Sequence, residues 1–134
     1  MGEKSLKEKI LEEMVVQYRD AMDKNYERVK KILKLTPTGK VDIVVDKTKL
    51  TSDDIISLYL IGKMYSKEAG LSPTEGATNK ELMEELGMPE GTMKSTLKRL
   101  RDVNRAEAIE EGNHKIALHL IDRILSEIEP KIKS

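Results

Sequence analysis

The sequence predicts a mainly α-helical protein with one small β-ribbon. Three features of its 134 residues lead there. Apolar residues recur at helical spacing over most of the chain, Pro and Gly fall between those stretches, and only short segments alternate apolar with polar residues. The length suits one domain with an extension. Aromatic residues make up 3%, and all of them are the 4 Tyr, with Phe, Trp and Cys absent. The core must therefore be built from Leu, Ile, Val and Met.

Residues 5–35 contain neither Pro nor Gly and read as one long helix. Leu11, Met14, Val15, Tyr18, Met22, Val29, Ile32 and Leu33 fall in one stripe roughly 100° wide. At ~1.5 Å per residue such a helix reaches about 45 Å and needs a partner along its length. Asn25 interrupts the stripe, either fixing the register of a helix pair or marking a bend. Thr36-Pro37-Thr38-Gly39 stops the helix, and Lys40 to Asp46, with Val41, Ile43 and Val45 set against Asp42 and Asp46, reads as a short strand. Thr51 and Ser52 are N-cap candidates, followed by Asp53 and Asp54 in a first turn where the helix dipole favours anions. The helix expected over 53–68 is apolar on most sides and should be the central element, closed by Gly70.

Thr78-Asn79-Lys80-Glu81 matches a capping box for a helix to Leu86. Gly87 breaks it, and Pro89 is placed as a first-turn proline for a helix over 89–103. Residues 106–110 and 115–119 read as two strands joined at Glu111-Gly112-Asn113. Ile121, Ile124, Leu125 and Ile128 form the stripe of a C-terminal helix that Pro130 ends or frays. The chain thus divides into an N-terminal helix over 1–39 for dimerisation or packing, a central domain over 40–119, and a C-terminal helix over 120–134. The two terminal helices offer the apolar surface for a homodimer, and C2 pairing is the commonest assembly.

Net charge is zero, from 24 basic and 24 acidic side chains, but the charges are not evenly spread. Residues 71–90 carry Lys80 against five Glu, and residues 91–105 carry five basic groups against Asp102 alone. One acidic segment therefore precedes one basic segment, and local potential governs binding. Abundant Lys and Glu fit a thermophilic source.

Residues 78–100, TNKELMEELGMPEGTMKSTLKRL, place two short helices around a turn at Gly87. Leu82 and Leu86 precede the turn, with Met88, Met93 and Leu97 after it, the spacing a helix-turn-helix needs. Here the sequence resembles the winged helix-turn-helix superfamily over about residues 51–119, with AEAIEEGNHKIALH as the two-stranded wing. The run GMPEGTMKSTLKRL also resembles the recognition helix of sigma factors and related regulators. The resemblance implies a duplex-DNA-binding transcriptional regulator whose helix at 89–103 enters the major groove. Thr92, Lys94, Ser95 and Lys98 would then face bases or phosphates, while Arg99 and Arg101 clamp the backbone. Glu90 would accept from a cytosine amino group or cap the helix. Met83 departs from the small residue common in such motifs. Glu107, Glu110 and Glu111 make an acidic wing, poorly suited to phosphates and better suited to a protein-interaction module without DNA binding.

Catalytic patterns are weak, and no enzyme is expected. His114 and His119 stand five apart, on opposite faces of a strand, so neither a metal site nor a cofactor is expected. Thr36 to Lys40, TPTGK, resembles the end of a phosphate-binding loop without its upstream Gly. Asp53-Asp54 and Asp42/Asp46 are explained by capping and strand exposure. A ligand pocket beside Tyr59 and Tyr65 is a further reading, against core packing. Without an aromatic platform, single-strand or RNA binding is disfavoured. No apolar run approaches the ~20 residues of a membrane span, and the absence of Cys fits a reducing, cytoplasmic setting.

Overall fold

The computed structural model of the chain describes residues 4–14, 18–110 and 112–133. In order these form α1 (Leu6–Glu13), α2 (Tyr18–Val29), β1 (Leu33–Leu35), β2 (Val41–Ile43), α3 (Ser52–Glu68) and β3 (Ala77–Thr78). Then come α4 (Asn79–Leu86), α5 (Glu90–Asp102), β4 (Ala106–Glu110), β5 (Asn113–Ile116) and α6 (Ile121–Lys133). The chain is mainly helical, with an antiparallel β1-β2 pair and a three-stranded sheet in the order β3-β5-β4. No helix among the described residues is long and apolar enough to cross a membrane.

The central helix is α3, as its all-round apolar sequence requires. Ile56, Leu58, Tyr59, Leu60, Ile61 and Met64 are all buried. The Asp54 amide donates to Thr51 Oγ1 at 3.1 Å, and the Thr51 amide donates to Asp54 Oδ2 at 3.0 Å, completing a capping box. Gly70, with φ +77°, ends the helix where a side chain would be strained. At Gly62 an added Cβ would lie 2.5 Å from a Val41 methyl, so glycine lets the β1-β2 pair lie directly on α3.

The N-terminal stretch is not one helix to residue 35. Met14 caps α1, α2 ends at Val29, and Leu33–Leu35 is a strand with Leu33 opposite Ile43 and Leu35 opposite Val41. Apolar residues at 32, 33 and 35 fit either period, and the Pro37–Gly39 turn decides by folding the segment back onto β2. TPTGK is therefore a hairpin tip, in which the Thr36 amide donates to the Lys40 carbonyl at 2.9 Å. Continuity across 15–17, and with it Val15, lies outside the described residues, as does Glu111 in the ribbon turn.

Asn25 is not a bend. It lies inside α2, donates to the Ala21 carbonyl at 2.9 Å and accepts from Arg28 Nη1 at 3.0 Å. Arg28 in turn reaches α6, donating to Glu129 Oε1 at 2.7 Å and Ser126 Oγ at 3.0 Å, and pairing with Asp122. The buried polar residue thus fixes a helix pair within the chain. The four stripe residues of α6, Ile121, Ile124, Leu125 and Ile128, are at most 1% exposed. That burial leaves α6 no apolar face for a dimer, against expectation. Pro130 does not end α6, which continues to Lys133, because a proline there forfeits one backbone hydrogen bond and the Lys131–Asp54 pair at 2.7 Å holds the last turn.

The second ribbon strand is Asn113–Ile116 rather than 115–119, and His119 lies in a 3₁₀ turn over Leu118–Leu120. The strand shifts because β5 has two partners: Ala108 and Ala77 both lie opposite His114, and Thr78 lies opposite Asn113. Strand β3, only two residues long, carries no alternation for a sequence reading to find.

Thr78 caps α4 by accepting from the Glu81 amide at 3.1 Å, but the Glu81 carboxylate turns inward. Its Oε2 accepts from Tyr59 Oη at 2.6 Å and lies 3.2 Å from Lys63 Nζ. The Lys63 side chain is 5% exposed and that of Glu81 14%, so this is a buried ion pair.

Removing one partner of such a pair leaves a buried charge. Glu81→Ala should lower unfolding free energy by about 3–5 kcal/mol, read from urea denaturation, while Lys63→Met/Glu81→Leu should recover most of it. Gly62→Ala should cost about 1–3 kcal/mol by overpacking, and less in a Val41→Ala background, as a double-mutant cycle would report.

Candidate nucleic-acid interface

The α4–α5 unit is held from three sides. Leu82 of α4 is fully buried, Gly87 ends that helix with φ +61°, and α5 buries Met93, Thr96, Leu97 and Leu100. The Thr96 hydroxyl lies 3.0 Å from Ser52 Oγ at the start of α3, which sets where α5 crosses the central helix. Pro89 occupies the N-cap position of α5, one residue earlier than a first-turn proline, and supplies no side-chain hydrogen bond. Strands β3 and β4 flank this unit in sequence and both pair with β5. Gly76 permits that closure, because an added Cβ would lie 2.5 Å from the His114 carbonyl oxygen.

With Met93, Leu97 and Leu100 inside, all six predicted contact residues are exposed. They form two rows along α5: Lys94, Lys98 and Arg101 on one edge, and Thr92, Ser95 and Arg99 on the other. Their charges are partly engaged. Lys94 pairs with Glu90 at 2.7 Å, which holds the Glu90 carboxyl below its usual range. Arg99 forks onto Asp53, with Nη2 2.7 Å from Oδ1, and so ties α5 to the first turn of α3. Ser95 donates to the Gly91 carbonyl at 2.8 Å, and Arg105 pairs with Glu127. Lys98 and Arg101 form no ion pair among the described residues. Exposed pairs of this kind are weak and exchange readily onto a stronger anion such as phosphate.

The ribbon adds no free cation. Lys115 pairs with Glu75 at 3.1 Å and Glu107 at 3.7 Å, leaving Glu107 and Glu110 at the surface. His114 is buried beneath it, with Nε2 2.7 Å from Asn79 Oδ1, linking the ribbon to the first turn of α4. Among the described residues, no group of three or more acidic or His side chains is arranged to hold a metal ion. Asp53 and Asp54 are engaged by Arg99 and by the cap, and Asp46 caps a 3₁₀ turn through Thr48. Of the two tyrosines expected beside a pocket, Tyr59 is fully buried on Glu81, whereas Tyr65 lines hollows next to α2.

No protein-family model, curated protein or solved structure matches this chain.

Burial, and secondarily the charge of Arg101, push the His114 pKa below its ordinary value. The unfolded chain, with an ordinary imidazole pKa of about 6.5, takes up the proton first as pH falls. Stability should therefore decline below about pH 6.5, and His114→Gln should flatten that part of the profile, as urea midpoints across pH 5–8 would report.

Proposed function

We propose that the protein binds duplex DNA as a transcriptional regulator, with residues 52–116 acting as a winged helix-turn-helix and α5 entering the major groove. One observation carries the reading: α5 commits Met93, Thr96, Leu97 and Leu100 to the core and turns Thr92, Lys94, Ser95, Lys98, Arg99 and Arg101 outward together. The order of elements supports it, with a buried helix, a strand, two helices around a left-handed glycine and a ribbon returning to that strand.

Roles divide by row. Thr92 and Ser95, short hydroxyl side chains near the N-terminal end of α5, suit base edges, which short residues reach only when the helix seats deeply. Lys98 and Arg101 supply phosphate contacts at once, whereas Lys94 and Arg99 must first exchange their carboxylate partners. The acidic ribbon favours a second reading, a protein-interaction module without DNA affinity, because Glu107 and Glu110 would repel phosphate.

Fluorescence anisotropy on mixed-sequence duplex across a salt series separates the two. Lys98→Ala/Arg101→Ala should weaken binding across all sequences and make the slope of log affinity against log salt shallower by about 2, near 0.9 per lost phosphate contact. Thr92→Ala/Ser95→Ala should instead change which selected duplexes bind best. No binding at low salt would turn the assignment to the protein-interaction reading.

A further inference from the structure

Helix α1 is amphipathic, yet it buries nothing: Leu6 is 74% exposed, Ile10 39%, Leu11 48% and Met14 77%. Its charges are ordered along its length. Lys7 and Lys9 lie toward the N-terminal end and Glu13 at the C-terminal end, while Lys4 and Glu12 form a surface ion pair with each other. Glu8 and the Ser5 cap suit the lone helix, but the order of Lys7, Lys9 and Glu13 opposes its macrodipole, which favours acids first and bases last, and gives α1 a charge polarity that a partner can match.

The same chain carries a groove with matching features. Two hollows of about 310 and 280 Å³ lie between α2 and α3, and Tyr26, Leu35 and Tyr65 line both. Lys34 and Lys30, the latter in a surface pair with Glu27 at 2.7 Å, stand at one end, and Asp23 and Glu68 at the other. Tyr26, at 52% exposure, stands open in the middle with the Lys30 ammonium 5.3 Å from its ring centre. From Asp23 to Lys30 the groove follows about 10 Å of α2, close to the ~12 Å length of α1.

We propose that α1 of one chain lies in the Tyr26–Leu35–Tyr65 groove of a second copy, and reciprocally, making a two-fold dimer. Charge fixes the direction. Lys7 and Lys9 of α1 face Asp23 and Glu68, its Glu13 faces Lys34, the exposed Lys4–Glu12 and Lys30–Glu27 pairs exchange onto the same two ends, and α1 therefore runs parallel to α2. That direction excludes a chain's own α1. Met14 would sit near Lys30, about 18 Å along α2 from Tyr18. Four Cα steps from Met14 to Tyr18 span at most about 14 Å, before the ~8–10 Å offset between packed helices is added. A second copy has no such restriction, and the two-fold doubles the area that one short helix covers, toward the ~1,200 Å² of a stable interface.

Sedimentation equilibrium of the full chain without DNA tests this separately from the DNA-binding reading. The wild type should reach twice 15.2 kDa with rising concentration. Leu6→Asp/Ile10→Asp should raise the dimer dissociation constant by at least about 100-fold while leaving the monomer's urea midpoint unchanged, since α1 contributes nothing to the core. Lys7→Glu/Lys9→Glu should weaken the dimer about 10-fold, and adding Asp23→Lys/Glu68→Lys should restore it. In this cysteine-free chain, Ile10→Cys/Leu35→Cys should oxidise to a linked dimer rather than an internal loop. A monomer at every concentration, a dimer indifferent to Leu6→Asp/Ile10→Asp, a charge swap without recovery, or an internal disulfide would each overturn the proposal.

Discussion

Lys63 carries its ammonium group into the interior where four segments of the chain meet, and the cost of burying that charge makes their arrangement obligatory. Its Nζ reaches Glu81 on α4 at 3.2 Å, Ser72 in the loop after α3 at 3.1 Å and the Gly39 carbonyl in the β1-β2 turn at 3.4 Å. Ser66 donates to the same Gly39 carbonyl at 3.0 Å. An uncompensated ammonium at this depth is far less stable than an ordinary packing fault, so the hairpin, the loop and α4 must assemble around α3 together. Tyr59 adds its hydroxyl to the Glu81 carboxylate, and burial with that negative neighbour raises its pKa far above the usual phenol range. Lys40, 3.6 Å from Glu81 Oε1, gives the carboxylate a second cation at the protein surface.

The rest of the molecule is hung from α3 by polar contacts at its edges and apolar ones along its sides. Tyr65 donates to the Met22 carbonyl at 2.7 Å and so locks α2 to the C-terminal half of α3. Lys131 and the capping box share Asp54, which brings the end of α6 to the start of α3. Arg28 closes the circuit between α2 and α6. These links place α5 against the N-terminal half of α3, where Thr96 meets Ser52 and Arg99 meets Asp53, and leave its polar face outward. The exposed rows on α5 thus follow from packing that takes place elsewhere.

Zero net charge is compatible with an anion-binding face because pairing and placement, not the total, set local potential. The acidic side chains of α4 and the ribbon border α5, and two of its four cations are already held by carboxylates. Under the DNA-binding reading this arrangement lowers non-specific affinity for phosphate, so discrimination would rest more on Thr92 and Ser95 than on bulk charge. Under the dimer proposal the groove lies between α2 and the C-terminal half of α3, while α5 packs at the other end of that helix, so the two surfaces do not compete.

Local chemistry was enough to mark α3, α4 and α5. Thr51 with Asp54, Thr78, Gly70 and Gly87 act through hydrogen bonds and backbone conformations a few residues long, the all-round apolar sequence marks α3 as central, and the 3.6-residue period names the buried face of α4 and α5. The exposure of Thr92, Lys94, Ser95, Lys98, Arg99 and Arg101 was legible for the same reason, since burying Met93, Leu97 and Leu100 leaves that face outside. Which of those cations remain unpaired was not legible, because Asp53 lies 46 residues from Arg99 and meets it only in the fold. Strands β1 and β3 escaped because three and two residues show no period, and their partners lie across a turn or on the far ribbon strand. Glu81 read as half of a capping box. It faces inward because a buried lysine on another helix needs its charge, a demand that arises only when α3 and α4 pack together.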